Sequence, residues 1–331
     1  LSSLNVNGTV KLDGNYPVGT GNVALGDQAF GNASGNYNVA LGETALYNNT
    51  ASSNTAIGRY ALTTNTSGAN NVAVGRDALL SNTTANNITA VGYQAGYSNT
   101  TGTNNTAVGF RSLKANITGF GNTTLGYATG ENAPSTARDN TFIGLNAGVN
   151  STYSFNTVVG SGAGQIVHGS AVAVGFAALR SATASYSVGI GTEAGKVSSS
   201  TIVAIGRLAG ASNTTGGDNT VVGYRAFSNN TTGGENTAMG AWSLYNNTTA
   251  VHNTAFGGDA LYNTTTGSNN IAVGSRALYL NVTGLNNTAL GRTALASNTA
   301  SNNTAVGYQS TYSNTTGSGL TAIGQGSLRG N

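Results

Sequence analysis

Cysteine is absent from this chain of 331 residues, and other residue types that carry chemistry are scarce. Without cysteine the chain has no disulfide framework, no thiol nucleophile and no thiolate metal site. The two histidines, His168 and His252, lie far apart in the sequence, which argues against a catalytic triad or a histidine-based metal site. We therefore expect no catalytic residues, no cofactor, no bound metal and no enzymatic activity.

Charged residues make up only 7% of the chain, and the formal net charge is +3. The basic residues stand singly along the sequence, so they form no dense positive patch of the kind that binds a nucleic-acid backbone. No apolar run approaches the roughly 20 residues that a membrane-spanning helix needs. We therefore expect neither a nucleic-acid partner nor insertion into a membrane.

One glycine recurs nineteen times at a nearly fixed interval, each time at the end of a phrase such as NTAVG or NVALG. Successive gaps are 15 to 18 residues, most often 17. A period this short over almost the whole chain is typical of a solenoid, in which each repeat forms one coil stacked on the last. We call this residue the corner glycine and number the positions of each coil from it. The corner glycines are Gly26, Gly42, Gly58, Gly75, Gly92, Gly109, Gly126, Gly144, Gly160, Gly175, Gly191, Gly206, Gly223, Gly240, Gly257, Gly274, Gly291, Gly307 and Gly324.

The three residues before the corner glycine predict a short strand. Position −1 is apolar in all nineteen coils, position −3 is threonine, valine or isoleucine, and position −2 is alanine in fourteen. Side chains two apart on a strand share a face, so positions −3 and −1 face one way and alanines such as Ala56 and Ala107 face the other. Because both faces are apolar or small, the pattern is typical of a strand buried on both sides.

The residues after the corner glycine indicate a second element. Position +3 is small in every coil, and position +4 is leucine or phenylalanine in twelve coils and glycine in six. We predict a second short strand here, packed back onto the first across a corner that only glycine permits. Polar phrases such as NNTTG follow and predict turns. Asparagine stands at position −4 in fourteen coils, as in Asn54 and Asn219, which predicts an amide ladder between coils.

The expected fold is therefore all-β, a parallel β-solenoid or β-roll of about 19 short coils. Each coil has few apolar side chains, which is a thin core for a free-standing solenoid. We expect the small-residue face, with Ala56, Ala107 and Ala272, to meet neighbouring copies of the chain. The simplest such assembly is a homotrimeric fibre with parallel axes.

The phrase N-[TV]-A-[VIL]-G-x-x-A-L resembles the head repeat of the trimeric autotransporter adhesins, which reads roughly N-S-V-A-I-G-x-x-S. Close matches are NVALGDQAF (22–30), NVAVGRDAL (71–79) and NIAVGSRAL (270–278). Longer coils with an NTTG linker, such as NTALGRTALASNT (287–299), look more like repeats of bacteriophage tail fibres. The resemblance covers about residues 20–328, and it implies a trimer of left-handed parallel β-rolls.

We predict a leader followed by one repeat domain. Residues 1–20, with the opening LSSLNVNGTVKLDG, look like the segments that precede such fibre regions, and residues 21–331 form the solenoid. Residues 127–140 disturb the repeat and predict an extruded loop, a common site of recognition. Residues 160–206 use tighter coils of 15 or 16 residues without the NTTG linker.

Two columns of side chains are candidates for an exterior surface. Positions +1 and +2 carry 12 of the 23 charged residues, which predicts an outward or subunit-rim surface. Tyrosine recurs at position +5, and Tyr245, Tyr262 and Tyr279 come from three successive coils with Trp242 nearby. We predict that these rings stack into a ladder. The ladder either covers the edge of the coil or offers an aromatic strip to the sugar rings of a receptor.

The leading interpretation is a structural fibre segment on a virion surface, such as a tail fibre, that presents a surface to a glycan or protein receptor of the host cell. The alternative is the head of a trimeric adhesin on a bacterial cell surface. A third class is an ice-binding solenoid, which needs a flat, outward and uninterrupted threonine array. Valine and isoleucine interrupt the threonine column at position −3, which disfavours that class.

Overall fold

A computed structural model describes residues 19–330 of the chain. The regular elements of these residues are nineteen β-strands of three or four residues, and this part of the chain contains no helix. Each strand ends directly before a corner glycine, so every coil contributes one strand. The predicted all-β parallel β-solenoid is confirmed. Residues 1–18 of the predicted leader lie outside the described residues.

The chain forms two compact units, Leu1–Phe155 and Asn156–Asn331. In the first unit, strands adjacent in sequence pair in parallel, and position −2 of one strand lies opposite position −2 of the next. Its strands are β1 (Val23–Leu25), β2 (Val39–Leu41), β3 (Thr55–Ile57), β4 (Val72–Val74), β5 (Thr89–Val91), β6 (Thr106–Val108), β7 (Thr123–Leu125) and β8 (Thr141–Ile143).

The second unit repeats the same parallel, in-register pairing over eleven strands. These strands are β9 (Thr157–Val159), β10 (Val172–Val174), β11 (Val188–Ile190), β12 (Ile202–Ile205), β13 (Asn219–Val222), β14 (Thr237–Met239), β15 (Thr254–Phe256), β16 (Ile271–Val273), β17 (Thr288–Leu290), β18 (Thr304–Val306) and β19 (Thr321–Ile323).

The alanine column at position −2 lies inside the coil. Ala56, Ala107 and Ala272 are fully buried within their own chain, and Ala56 and Ala107 belong to one core cluster with the buried leucines of position +4. The expectation that the small-residue face meets neighbouring copies is therefore wrong. A coil this narrow leaves room for only a methyl group beside each leucine, and so the larger side chains of positions −3 and −1 point outward.

The segment after the corner glycine is a series of turns and not a second strand. Positions +2 and +4 have positive φ, as at Tyr60 (φ 62) and Leu62 (φ 51), whereas an extended strand needs negative φ. The backbone still bonds both neighbouring coils: Tyr60 N–H donates to the carbonyl of Glu43 at 3.0 Å, and Leu62 N–H donates to that of Ala78 at 3.1 Å. The prediction of packing against the first strand is confirmed, and that of a second strand is wrong.

The corner glycines are required by both conformation and space. Gly240 has φ +139, and a Cβ placed on it would lie 2.5 Å from the carbonyl oxygen of Gly257 in the next coil. The same clash with the next corner glycine holds at the other corners that the sequence singles out. These are Gly58, Gly75, Gly92, Gly109, Gly223, Gly274 and Gly291.

The core compensates where glycine replaces leucine at position +4. A Cβ on Gly148 would lie 2.8 Å from the ring of Phe142, and one on Gly210 would lie 2.7 Å from Cδ1 of Ile202. Phe142 and Ile202 are both fully buried and occupy positions that elsewhere hold alanine or asparagine. A large residue therefore fills the volume that each missing leucine leaves.

The asparagines of position −4 form the predicted amide ladder, and they do so by bonding the backbone of the next coil. Asn54 Oδ1 accepts from the N–H of Asn71 at 2.9 Å, and Asn54 Nδ2 donates to the carbonyl of Gly68 at 2.9 Å. Both asparagines are fully buried. The buried amide and backbone groups cannot form hydrogen bonds with water, and the ladder supplies partners for them within the chain.

A second amide ladder runs along position +7, where sequence analysis predicts only turns. Asn65 Nδ2 donates to Oδ1 of Asn49 at 2.6 Å, and Asn82 Nδ2 donates to Oδ1 of Asn65 at 2.7 Å. The same side chains donate to the carbonyl at position +10 of their own coil, as from Asn65 to Gly68 at 2.8 Å. The asparagine at position +7 of the NTT phrases is thus a core residue, as at Asn82, Asn99 and Asn230.

Residues 127–140, expected to be extruded, stay within the pattern of the coils. Ala133 and Ala137 are buried, and the carbonyl of Ser135 accepts from the N–H of Ile117 at 2.9 Å. The N–H of Ala137 donates to the carbonyl of Pro134 at 3.0 Å, which closes a turn that accommodates the extra residue of this longer coil.

In the tighter coils of 160–206, small or apolar residues such as Val167 and Ala182 replace the asparagine of position +7.

Candidate binding surfaces

The outer strand face, which we define as positions −3 and −1 of every coil, is uncharged and half-exposed to exposed; position −1 is apolar throughout and position −3 is mostly threonine. Val23, the first residue of β1, is 55% exposed, and Phe256, the last residue of β15, is 53% exposed. Neither column contains a charged residue, since position −1 is always apolar and position −3 is threonine, valine or isoleucine. Exposed apolar rows of this length usually mark a contact surface.

The charged columns at positions +1 and +2 lie on the turn side of the coil, by which we mean the side formed by the residues after the corner glycine. Their arginines at position +1 and Arg276 are exposed, whereas Arg111 and Arg225 are half-buried. Arg59 Nε lies 2.9 Å from Oε2 of Glu43, and Arg76 Nε lies 3.4 Å from Oδ2 of Asp77. The side chain of Asp77 is an exception, because it is buried beneath this surface. Exposed ion pairs of this kind are each worth about 0–1 kcal/mol, so they contribute little to stability.

The predicted tyrosine ladder is present in the second unit. The ring centroids of Tyr245 and Tyr262 lie 5.3 Å apart with an interplanar angle of 18°, and those of Tyr262 and Tyr279 lie 5.3 Å apart at 21°. The ring of Trp242 meets Tyr245 edge-on at 4.8 Å. Each ring covers part of its neighbour's face, which favours contact with a ligand through ring edges and hydroxyl groups.

The surroundings of Tyr262, the central ring of the ladder, favour the neutral form of its phenol. Burial within the stack raises the pKa of Tyr262, and the neighbouring Tyr245, Tyr279 and Asp259 act in the same direction. Arg225 opposes them by favouring the phenolate. The tyrosine hydroxyl is therefore protonated, and a hydrogen-bond donor, throughout the physiological range.

Arginine side chains lie over the rings at the start and end of this ladder. The guanidinium carbon of Arg225 lies 5.0 Å from the ring centroid of Trp242 and 5.7 Å from that of Tyr224. The guanidinium carbon of Arg276 lies 5.1 Å from the centroid of Tyr279. Such cation–π contacts contribute about 0.5–1 kcal/mol each at exposed sites and hold the guanidinium in one orientation.

The first unit contains a second aromatic ladder that sequence analysis missed. Phe110 stacks on Tyr93 at 5.3 Å and on Tyr127 at 4.9 Å. All three rings stand at position +1 of successive coils, so an aromatic residue repeated at the coil period was the available signal. Arg111 lies over Phe110 at 5.1 Å and also contacts Glu131, whose Oε1 is 3.5 Å away.

The two histidines show no sign of a metal centre. His252 Nε2 lies 3.1 Å from Oε2 of Glu235 on an exposed surface. Among residues 19–330, no group of three or more histidine, cysteine, aspartate or glutamate side chains could hold a metal ion.

The described part of the chain holds no helix long and apolar enough to cross a membrane.

The fold and these surfaces define a β-solenoid repeat protein in which the coils of each unit have an uncharged outer strand face and a turn side that bears aromatic rings and arginines. Its architecture is compatible with a structural or fibre-like protein. The chain matches no protein-family model and has no significant match among curated proteins.

Proposed function

We propose that this chain is a structural segment of a virion fibre, such as a tail fibre, that assembles as a homotrimer and presents its turn side to a receptor on the host cell. In this proposal the protein is not an enzyme. The observation that carries it is the outer strand face, an uncharged array with one apolar position −1 side chain per coil in both units.

Burial of the outer strand face provides enough free energy to hold an assembly together. A fully buried valine, leucine, isoleucine or phenylalanine side chain gains about 1.5–3 kcal/mol, and these side chains are already half-buried in the single chain. If each position −1 gains only about 1 kcal/mol, nineteen coils give roughly 20 kcal/mol per chain. This exceeds the cost of association, which is about 4–15 kcal/mol.

A second and third copy of the chain are the partners that best match the face. The array presents one position −3 and one position −1 side chain per coil, at the spacing of about 4.8 Å between parallel strands. A copy of the same chain repeats at the same spacing, so contacts made in one coil recur in the next. The resemblance of the repeat to trimeric adhesin heads and tail fibres also supports three-fold assembly.

The mass in solution tests the assembly. We expect three times the mass of one chain by light scattering, and a loss of the trimer when Val222, Met239 and Phe256 are all changed to glutamate. A matched control changes Thr232, Thr249 and Thr266 to glutamate in the same three coils, at exposed positions of the loop. A monomeric wild-type chain, or a trimer that survives in the first variant, would contradict the proposal.

A trimeric adhesin head on a bacterial cell surface is compatible with the same surfaces. The two functions differ in the segments that join the fibre at either end. The sequence of the complete protein from its source, read for a virion attachment domain or an outer-membrane anchor, separates them.

An ice-binding role is a second candidate, because the structure places the threonine column of position −3 on the outside. Thr89, Thr106, Thr123 and Thr141 occupy this column in four successive coils of the first unit. The trimer would cover this same face, so the two roles exclude each other. Thermal hysteresis in a monomeric sample would favour ice binding, and its absence from a trimeric sample would favour the fibre.

A further inference from the structure

Arginines without acidic partners lie along the turn side of the second unit. Arg207, Arg225 and Arg292 stand at positions +1 or +2, and among the described residues no carboxylate lies within 4.0 Å of their guanidinium nitrogens. Arg276 is the exception, with Nε 3.5 Å from Oδ2 of Asp259. This side of the second unit is therefore positive.

The first unit offers a contrast. Its arginines at the same positions have carboxylate partners within the chain: Arg59 pairs with Glu43, Arg76 with Asp77, and Arg111 with Glu131. The pairing leaves these guanidinium groups less available to an anionic ligand. The unpaired arginines of the second unit retain that capacity.

Each of these three arginines lies over an aromatic ring. Arg225 lies over both Trp242 and Tyr224, and Arg207 lies over Tyr224 at 5.8 Å. Arg292 lies over Tyr308, also at 5.8 Å. Nε of Arg225 is buried and has no hydrogen-bond partner. A guanidinium group that packs on a ring keeps its planar donor edge oriented, so less entropy is lost when it binds a carboxylate or sulfate.

Phenol groups follow these arginines along the same side. Tyr245, Tyr262 and Tyr279 supply one ring per coil, and no buried unpaired oxygen is found among them. Their hydroxyl groups can therefore exchange hydrogen bonds with solvent or with the hydroxyl groups of a ligand.

We propose that Arg207, Arg225, Tyr245, Tyr262, Tyr279 and Arg292, which we call the arginine–tyrosine strip, bind an acidic polysaccharide that runs along the stacked coils. The guanidinium groups bind the carboxylate or sulfate groups of the glycan, and the phenols bind its hydroxyl groups. This inference rests on the receptor-presenting role proposed above and names the chemical class of the receptor. A single-stranded nucleic acid fits less well, because neighbouring rings cover the faces on which bases would stack.

The test measures binding of the full chain to polygalacturonate and to dextran sulfate, which separate carboxylate from sulfate recognition, with neutral dextran as a control. We expect one or both acidic glycans to bind and dextran not to bind. The triple variant R207Q/R225Q/R292Q should lose affinity at least about tenfold, since charge-assisted hydrogen bonds are lost. The control R59Q/R138Q/R180Q removes the same charge elsewhere and should stay within about twofold.

Three further measurements make the result decisive. Tyr245, Tyr262 and Tyr279 changed together to phenylalanine should keep the stack and weaken binding, whereas a general charge effect would leave the affinity unchanged. Equal affinity for poly-glutamate or single-stranded DNA would overturn the proposal, as would equal losses in both arginine variants or no binding of either acidic glycan. Circular dichroism confirms that each variant is folded.

The mass of each sample in solution separates this inference from the fibre assembly. A monomeric wild-type chain that still binds the acidic glycan would refute the trimer and leave the strip intact. If R207Q/R225Q/R292Q dissociates a wild-type trimer, the strip serves assembly and the inference is wrong.

Discussion

At the scale of single residues, backbone conformation at the corner decides whether a coil can stack. The corner glycine has a positive φ and lies against the backbone of the next coil, where no side chain fits. The next residue along the chain has no such constraint. Gly257 and Gly258 therefore form a matched pair within one coil.

We expect Gly257→Ala to lower the free energy of unfolding by at least about 3 kcal/mol, because it combines strained backbone with a clash. Its Cβ would lie 2.7 Å from the carbonyl carbon of Gly274 at φ +138. Gly258→Ala should change stability by less than about 0.5 kcal/mol, since its nearest atom is 3.9 Å away. Denaturant unfolding measures both, and equal effects would refute the role of the corner.

The amide ladder of position +7 predicts a stabilising substitution. Thr264 interrupts the ladder, and Oδ1 of Asn247 in the preceding coil is buried without a partner. Asparagine at position 264 would donate from Nδ2 to that oxygen, as Asn247 Nδ2 donates to Asn230 at 2.7 Å. We expect Thr264→Asn to raise the free energy of unfolding by about 1 kcal/mol.

The neighbouring substitution Thr265→Asn is the control. Residue 265 stands at position +8, outside the buried ladder, so an asparagine there gains no buried hydrogen bond. Ala133→Asn repeats the test in the first unit, where Oδ1 of Asn116 is likewise buried and unpaired. Destabilisation of the chain by both ladder substitutions would show that the ladder does not hold the coils together.

Only some of the residues that hold the coils together could be predicted from the sequence. The corner glycines and the asparagines of position −4 could be predicted, since each stands at a fixed place beside an obvious strand. The asparagines of position +7 could not, because NTT phrases are equally typical of exposed turns. Nothing in the sequence of one chain says that the carbonyl of position +10 lies within reach of that amide.

At the scale of elements, the coil consists of one strand and a set of turns. Leucine at position +4 favours negative φ, so the positive φ of Leu62 or Leu113 could not be read from its type. Glycine at that position in six coils was a signal of positive φ that the strand interpretation did not use. The direction of the strand faces was also missed, because alternation alone does not say which face is inside.

The tyrosine ladder predicts a pH dependence. Its environment raises the pKa of Tyr262 above the ordinary value of 10.0, which means that the folded state holds this proton more tightly than the unfolded state. The stability from this difference is complete below about pH 10 and is lost as the pH rises through the raised pKa. The unfolding free energy should therefore fall above pH 10.

Ultraviolet titration measures this effect directly. We expect a late step of tyrosinate absorbance in the wild-type chain and the loss of that step in Tyr262→Phe. Tyr153→Phe, at an exposed position, should leave the late step in place. The absence of a late step from the wild-type chain, or its persistence in Tyr262→Phe, would contradict the packing of the ladder.

At the scale of the whole molecule, two sides of the coil have different tasks in the proposed fibre. The outer strand face is uncharged, with an apolar side chain at every position −1, which suits contact with copies of the same chain. The turn side carries arginines and aromatic rings, which suits contact with a ligand. Sequence periodicity could predict the solenoid, but not this division, since it depends on which side chains the narrow coil can enclose.

The measurement that tests the central claim most directly is the mass of the wild-type chain and of Val222→Glu/Met239→Glu/Phe256→Glu in solution, by light scattering or sedimentation equilibrium. The account predicts a trimer for the wild type and for the threonine control, and smaller species for the glutamate variant. A monomer that keeps its apolar face in solvent, or a variant that assembles as well as the wild type, would contradict it.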